Sequence, residues 1–149
     1  MGLSLLCYVG QILAGLPVAS VVEAMRPLPI QPLDGTPSFV LGVSIIRGVP
    51  TPVVDAAMLI GAPTAGRPER FVCLRAGDRF VALAVERVLG VRELPETELR
   101  ALPPLLAHAR PEVVSAMATL DAQLLLVLQT ARVVPESVWQ ALAKVGAGA

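Results

Sequence analysis

Side chains that do chemistry are scarce in this chain, and those present lack the spacing that chemistry needs. His108 is the one histidine, set in Leu-Leu-Ala-His-Ala-Arg-Pro. A zinc or iron site draws three or four ligands from His, Cys and carboxylates, and no second histidine or cysteine cluster stands by it. As a general base it would need a nucleophile. No serine sits in a Gly-x-Ser-x-Gly turn, and Ser44 lies inside an apolar run. His108 therefore reads as a loop residue. Cys7 and Cys73 stand singly in apolar runs with no Cys-x-x-Cys, as buried reduced thiols do. Gly61-Ala-Pro-Thr-Ala-Gly-Arg67 imitates the start of a phosphate loop, but arginine replaces the lysine and Pro68 the hydroxyl that would hold a metal. Glu96 and Glu98 fall in a solvated turn. The expectation is a non-enzyme with no catalytic residue, no metal and no cofactor.

One charge does stand out. Gly42-Val-Ser-Ile-Ile-Arg-Gly-Val-Pro-Thr-Pro-Val-Val-Asp55 is an apolar and β-branched run that holds Arg47 alone until it closes on Asp55. A guanidinium in such a setting is costly unless it is paired or reaches water. Arg47 either anchors the fold through a carboxylate or marks a surface that something binds.

Composition narrows the partner. The 149 residues suit one domain, and 12 Lys+Arg against 12 Asp+Glu leave no basic footprint for nucleic acid. Aromatic residues make up 3 % of the chain, too few for base-stacking platforms. Hydrophobic residues reach 54 % and mean hydropathy is +0.69. That is greasy for a soluble monomer, and implies either apolar surface kept for partners or a core of small residues. Residues 1–22 carry no charge, yet no Lys or Arg precedes them, Gly10-Gln11 and Gly15 interrupt them and Pro17 follows. This is a poor signal peptide or membrane span and a good pair of strands. A cytoplasmic protein without membrane insertion is expected.

The elements that must position Arg47 are short strands: Leu3–Val9, Ile12–Leu16, Gly42–Ile46, Val49–Val54, Phe71–Arg75, Phe80–Val85, Val88–Glu93, Val113–Leu120 and Gln123–Leu128. Gly10-Gln11, Gly77-Asp78 and Asp121-Ala122 supply hairpin turns. Many short strands with close turns predict a barrel or sandwich. Helices are few: Ala56–Ile60, stopped by Gly61 and capped by Asp55; a first turn at Pro95–Glu98; and Pro135–Val145, whose Val138, Trp139, Leu142 and Val145 share a face. The tail 146–149 frays, and residues 61–70 form a polar connector. The halves echo each other. A shift of 67 lays Gly10, Leu16, Val18, Val21 and Val22 over Gly77, Leu83, Val85, Val88 and Leu89. A shift of 74 lays Val53 and Val54 over Val127 and Leu128. Two small barrels joined near residue 65, too small to stand alone and so sharing a core, would explain this.

The segment Gly42-Val-x-x-Ile-Arg-Gly-Val-x-x-Pro-Val-Val-Asp55, followed by Leu59-x-Gly61, resembles the signature of the CheW-like coupling proteins of bacterial chemotaxis. Val21-Val-Glu23, Pro37-Ser-Phe-Val-Leu-Gly42 and Phe80-Val-Ala-Leu-Ala-Val-Glu86-x-Val88 agree in order and spacing, so the likeness covers about residues 3–142. It implies a mainly β fold of two SH3-like five-stranded barrels around a shared hydrophobic core, with few short helices and a C-terminal helix. As one CheW-like domain over 1–149, it would divide into a subdomain of about 12–66 and another of about 67–134, the latter with the N-terminal strand and C-terminal helix. It also implies a non-catalytic adaptor between the cytoplasmic tips of chemoreceptors and the regulatory domain of a CheA-type histidine kinase, recruited to membrane-associated arrays. By the same resemblance Val21, Glu23, Gly42, Ile45 and Arg47 belong to the receptor-binding region, in a groove between the barrels, with Glu23 as partner of Arg47. Gly48 and Asp55 are structural. Gly42 either lines the groove or meets a backbone need, and the Glu23–Arg47 pair either borders it or only joins strands. Ile45 stands where the family usually has asparagine, Ala56 for a leucine and Glu86 for a frequent aspartate. These departures imply a different receptor set, or a branch outside flagellar chemotaxis such as twitching or gliding. A small-ligand sensor using the groove as a pocket is the competing class.

Overall fold

The structure is a computed structural model and describes residues 2–62, 68–94, 114–120, 123–128, 136 and 138–140. Each half of the chain opens with a hairpin: β1 (Gly2–Val9) with β2 (Ile12–Pro17), and β6 (Arg70–Ala76) with β7 (Arg79–Val85). Gly10 (φ 60°) and Gly77 (φ 70°) take the first central position of their turns, where a left-handed residue suits the twist of the strands. Each hairpin is followed by an edge strand, β3 (Val21–Met25) or β8 (Arg87–Leu94), and then by a second pair, β4 (Val40–Ile46) with β5 (Val49–Asp55), or β9 (Val114–Leu120) with β10 (Gln123–Leu128). The helix α1 (Ala56–Ile60) follows β5. Asp55 caps it by accepting from the Ala57 and Met58 amides at 3.0 and 3.3 Å, and left-handed Gly61 ends it.

The mainly β expectation holds, and the strands read from the sequence are present to within about two residues. β3 is the exception: its residues alternate between half-buried and exposed, and it is short. The first turn at Pro95–Glu98, His108, the Asp121-Ala122 turn, connector residues 63–67, the tail and most of the C-terminal helix lie outside the described residues.

The described strands form two five-stranded sheets, ordered β8-β1-β2-β10-β9 and β3-β6-β7-β5-β4. Each sheet combines both halves of the chain. β2 pairs in parallel with β10, β5 pairs in parallel with β7, and the other pairings are antiparallel. The internal echo is exact in register. Leu5↔Leu16 recurs 67 residues on as Val72↔Leu83, and Val40↔Val54 recurs 74 on as Val114↔Leu128. Even the bulge recurs, skipping Val22 in β3 and Leu89 in β8.

The large core lies between the sheets and draws on both. Leu5, Cys7, Leu16 and Leu128 meet Val54, Val72, Leu74 and Leu83 there, all buried. The opposite face of the second sheet carries a smaller cluster: Ile46, Val53, Phe71, Cys73, Ala82 and Ala84. The alternation along β6 and β7 sorts side chains to the two clusters, as period-2 geometry requires. Val138 inserts into the large core. Beside it Arg79 donates to both Glu136 oxygens at 2.9 and 3.2 Å and lies 5.0 Å from the centre of the Trp139 ring. That bond from Arg79 holds the Glu136 carboxyl below its usual range.

Between β3 and β4 the chain runs as a strap over the smaller cluster, which Leu28 and Ile30 partly cover. Gln31 and Val43 exchange two backbone bonds of 2.8 Å, and the Ser44 hydroxyl donates to the Pro29 carbonyl at 2.7 Å. Gly42 makes this approach possible. Its φ is 144°, and a Cβ there would lie 2.2 Å from the Gln31 carbonyl oxygen. Gly42→Ala is therefore expected to destabilise the protein by about 3 kcal/mol or more, read as a lowered midpoint in urea unfolding. An unchanged midpoint would contradict the contact.

Candidate functional site

β4 and β5 are joined by two residues, Arg47 (φ 51°) and Gly48 (φ 79°), both left-handed as a type I′ turn requires. Asparagine is the usual residue at the first position because its short polar side chain tolerates this backbone. Arg47 is the only described non-glycine residue with positive φ. The strained turn aims its guanidinium across the open side of the sheet at β3. Nε donates to Glu23 Oε1 at 3.3 Å and Nη2 donates to Oε2, a fork-on-fork pair. The Arg47 side chain is 75 % exposed and that of Glu23 25 %. The bond from Glu23 raises the guanidinium above its already high range, so its charge is permanent. A pair this open to water adds little stability. What it fixes is the position of two opposite charges.

Beneath the pair lies a groove of about 460 Å³, counting its open mouth, lined by Val22, Glu23, Ile46, Arg47, Val49, Thr51, Cys73 and Phe80. The Thr51 hydroxyl donates to the Val49 carbonyl at 3.0 Å, so the interior offers apolar surface. The Arg75 guanidinium sits 5.6 Å from the centre of the Phe80 ring, across the β6–β7 pair. Val22, Val49 and Phe80, from three different strands, are large apolar side chains left 46, 47 and 38 % exposed. All the lining residues belong to the β3-β6-β7-β5-β4 sheet or its turn. The groove therefore lies at one end of that sheet, whereas the resemblance places the receptor groove between the barrels.

The residues singled out in the sequence take separate places. Glu23 and Arg47 meet, as expected. Val21 packs on the large core, and the bulge hands the groove position to Val22. Gly42 lies under the strap against Gln31. Ile45 is 59 % exposed and alternates with Ile46, so it points away from the groove that Ile46 lines. Gly48 and Asp55 serve the turn and the helix cap. Ile46, Val49, Thr51, Cys73 and Phe80 were not foreseen. Only the period-2 alternation of β4 to β7, projected onto the correct strand order, could have found them.

The duplication supplies an internal control. The register that pairs Glu23 with Cys73 pairs Gly90 with Leu6 in the other sheet, and the position 74 residues after Arg47 is Asp121. One fold thus builds the same bulged edge twice, and the sequence has Glu and Arg at these positions on one side alone. The ladder of the other sheet forms without Glu and Arg at these positions.

Both cysteines are free and buried. Burial pushes the Cys7 thiol from its ordinary 9.0 up to about 12 and also raises Cys73, on the groove floor. Among the described residues no group of three or more His, Cys, Asp or Glu could hold a metal, and no helix is long and apolar enough to cross a membrane. Two outcomes follow. The folded Cys7 keeps its proton where an unfolded thiol loses it, so stability should fall between about pH 9 and 12, by up to ~1.4 kcal/mol per pH unit. Unfolding titrations across that range, in wild type and Cys7→Ala, measure it. Separately, Arg47→Gly relaxes the turn and should leave the melting temperature unchanged or raised. A clear fall would make the pair structural.

A family model described as a CheW-like domain matches residues 4–138. Protein FrzA of Myxococcus xanthus is 34 % identical over 134 residues, with 83 % of each chain covered. The chemotaxis protein CheW of Helicobacter pylori is 22 % identical over 94 residues, covering 62 % of this chain and 57 % of that one. Among solved structures, the scaffolding protein TtCheW of Thermoanaerobacter tengcongensis superposes with a TM-score of 0.79 at 21 % identity, covering 89 % and 91 % of the two chains. That likeness shows the fold of two SH3-like subdomains. By the family match and the relative it shares a third of its residues with, this chain belongs to the CheW-like family, the scaffold class of chemotaxis-type signalling.

Proposed function

We propose that this protein is a non-catalytic adaptor that couples the cytoplasmic tips of chemoreceptors to the regulatory domain of a CheA-type histidine kinase. The observation that carries the reading is the Glu23–Arg47 pair over an apolar groove, whose counterpart positions in the duplicated fold hold Gly90 and Asp121. A receptor tip is helical. It would lay one or two apolar side chains between Val22, Val49 and Phe80, while the fixed charges select register, the helix-in-groove mode. Ile45, exposed two residues before Arg47, would widen the contact on the neighbouring face, and Val21 and Gly42 would support it from behind.

A bridge needs a second face. Leu3, Leu89 and Val91 are 52, 47 and 51 % exposed on β1 and the edge strand β8 of the other sheet. In the sheet that carries the groove, the corresponding positions are Arg70, Val22 and Ala24. This apolar edge suits the kinase's regulatory domain. The protein would work in the cytoplasm at receptor arrays as one domain of two subdomains, one on each sheet. β3 to β7 (residues 21–85) would then form one of them, rather than a half ending near residue 66. A non-flagellar pathway, such as twitching or gliding, is the second reading, favoured by an exposed isoleucine at 45 where the resemblance leads one to expect asparagine.

Pull-down and calorimetric titration with the cognate receptor tip and kinase regulatory domain test this. Arg47→Ala and Val22→Asp should weaken receptor binding at least about tenfold with folding intact, and leave kinase binding alone. Val91→Asp should do the reverse. If the wild type binds neither partner at tens of micromolar, the adaptor reading fails.

A further inference from the structure

Arg47, Arg75 and Arg79 stand around the groove and the β6–β7 turn, and two of them have their donors engaged. Arg47 gives Nε and Nη2 to Glu23, and Arg79 gives Nη1 and Nη2 to Glu136. Arg75 is exposed and makes no ion pair with a described residue. Its guanidinium lies over the Phe80 ring, 5.6 Å from the centre. Stacking occupies the flat face of a guanidinium and leaves its N–H fork at the edge, where a carboxylate is taken bidentately. The ring also restrains the side chain, so less freedom is left to lose on binding.

Phe80 lines the groove, and Arg75 follows Cys73 of the groove floor by two residues on β6, on the same face. Glu23 is the one carboxylate in the lining, and Arg47 holds it. Asp78, in the turn that follows β6, acts on Arg79. The ladder does not account for the Arg75–Phe80 pair. Tyr8↔Leu13 is its register equivalent 67 residues earlier. That pairing forms without a cation, and Leu13 is 3 % exposed where Phe80 is 38 %.

We infer, on the reading of this groove as a receptor site, that Arg75 sets its specificity by taking a carboxylate of the docking helix. The acid would stand one helical turn, three or four residues, from the apolar side chain buried beside Phe80. The occupant is thus an acidic amphipathic helix. Glu23 and Arg47 satisfy each other, so Arg75 is the cation that reads the acid. A basic side chain at the same place on the helix would face Arg75 and be rejected.

Calorimetric titration of the full chain with the cognate receptor tip tests this. Arg75→Gln should weaken binding about tenfold with the melting temperature unchanged. Arg75→Glu should weaken it further, and Arg75→Lys should recover part of the loss, since it keeps the charge without the fork. Single carboxylate-to-amide changes in the tip should reveal one acid whose loss weakens binding to the wild type and not to the Arg75→Gln variant. If Arg75→Gln lowers the melting temperature, Arg75→Lys takes its place, and the same acid must count for less against it. Wild-type binding that Arg75→Gln leaves unchanged, or no tip acid coupled to Arg75, overturns the inference and leaves the receptor reading standing. No wild-type binding at tens of micromolar overturns both.

Discussion

The two parallel pairings, β2 with β10 and β5 with β7, are the constraint on which the rest of this structure depends. Each joins a hairpin from one half of the chain to a strand pair from the other. Neither half can complete a sheet until the other is made, and the large core closes only when both sheets are in place. Contacts of such long sequence separation form late and favour cooperative folding. The Arg47 turn inherits its rigidity from this arrangement. β5 is held by β4 on one side and β7 on the other, so a short strained turn at its start can aim a charged side chain across the sheet without collapsing.

The same constraint separates what the fold demands from what it tolerates. Registers, bulges and hairpin turns recur in both halves because the ladder needs them. Glu23 and Arg47 have Gly90 and Asp121 at their counterparts, so selection for the ladder cannot explain them. Their exposure points the same way, since a water-facing ion pair is a weak means of holding strands together.

Much of the fold was legible in the chain because hairpin chemistry is local. Gly-Gln and Gly-Asp turns, β-branched runs and a repeat with two offsets sufficed to expect paired small barrels. The offsets differ because the chain from Gly90 to Val114 is seven residues longer than its counterpart from Glu23 to Val40, a fact visible in the echo itself. What was not legible is non-local. β3 is short and bulged, and its Val-Val-Glu-Ala-Met sequence puts apolar residues at exposed positions, so the sequence carries no clear alternation. The bulge also reversed the sides of Val21 and Val22, a one-residue slip that period-2 reasoning cannot foresee. Gly42 owes its identity to Gln31, which approaches from a strap with no regular structure. The Glu23–Arg47 pair spans 24 residues. No local pattern announces it, and only family resemblance brought the two together.

The bulged edge is duplicated, but the residues of the Glu23–Arg47 pair are not, since Gly90 and Asp121 stand at their counterparts. A symmetric two-barrel adaptor carrying the pair twice would be divalent for the same partner and could chain identical partners into open aggregates. In the proposed adaptor role, the Glu23–Arg47 face and the different apolar edge on the other sheet would make each molecule monovalent on either side. In that role it would have a direction, like a plug whose two ends do not interchange. An assembly built through it would alternate partners, with its stoichiometry set by the adaptor rather than by partner abundance.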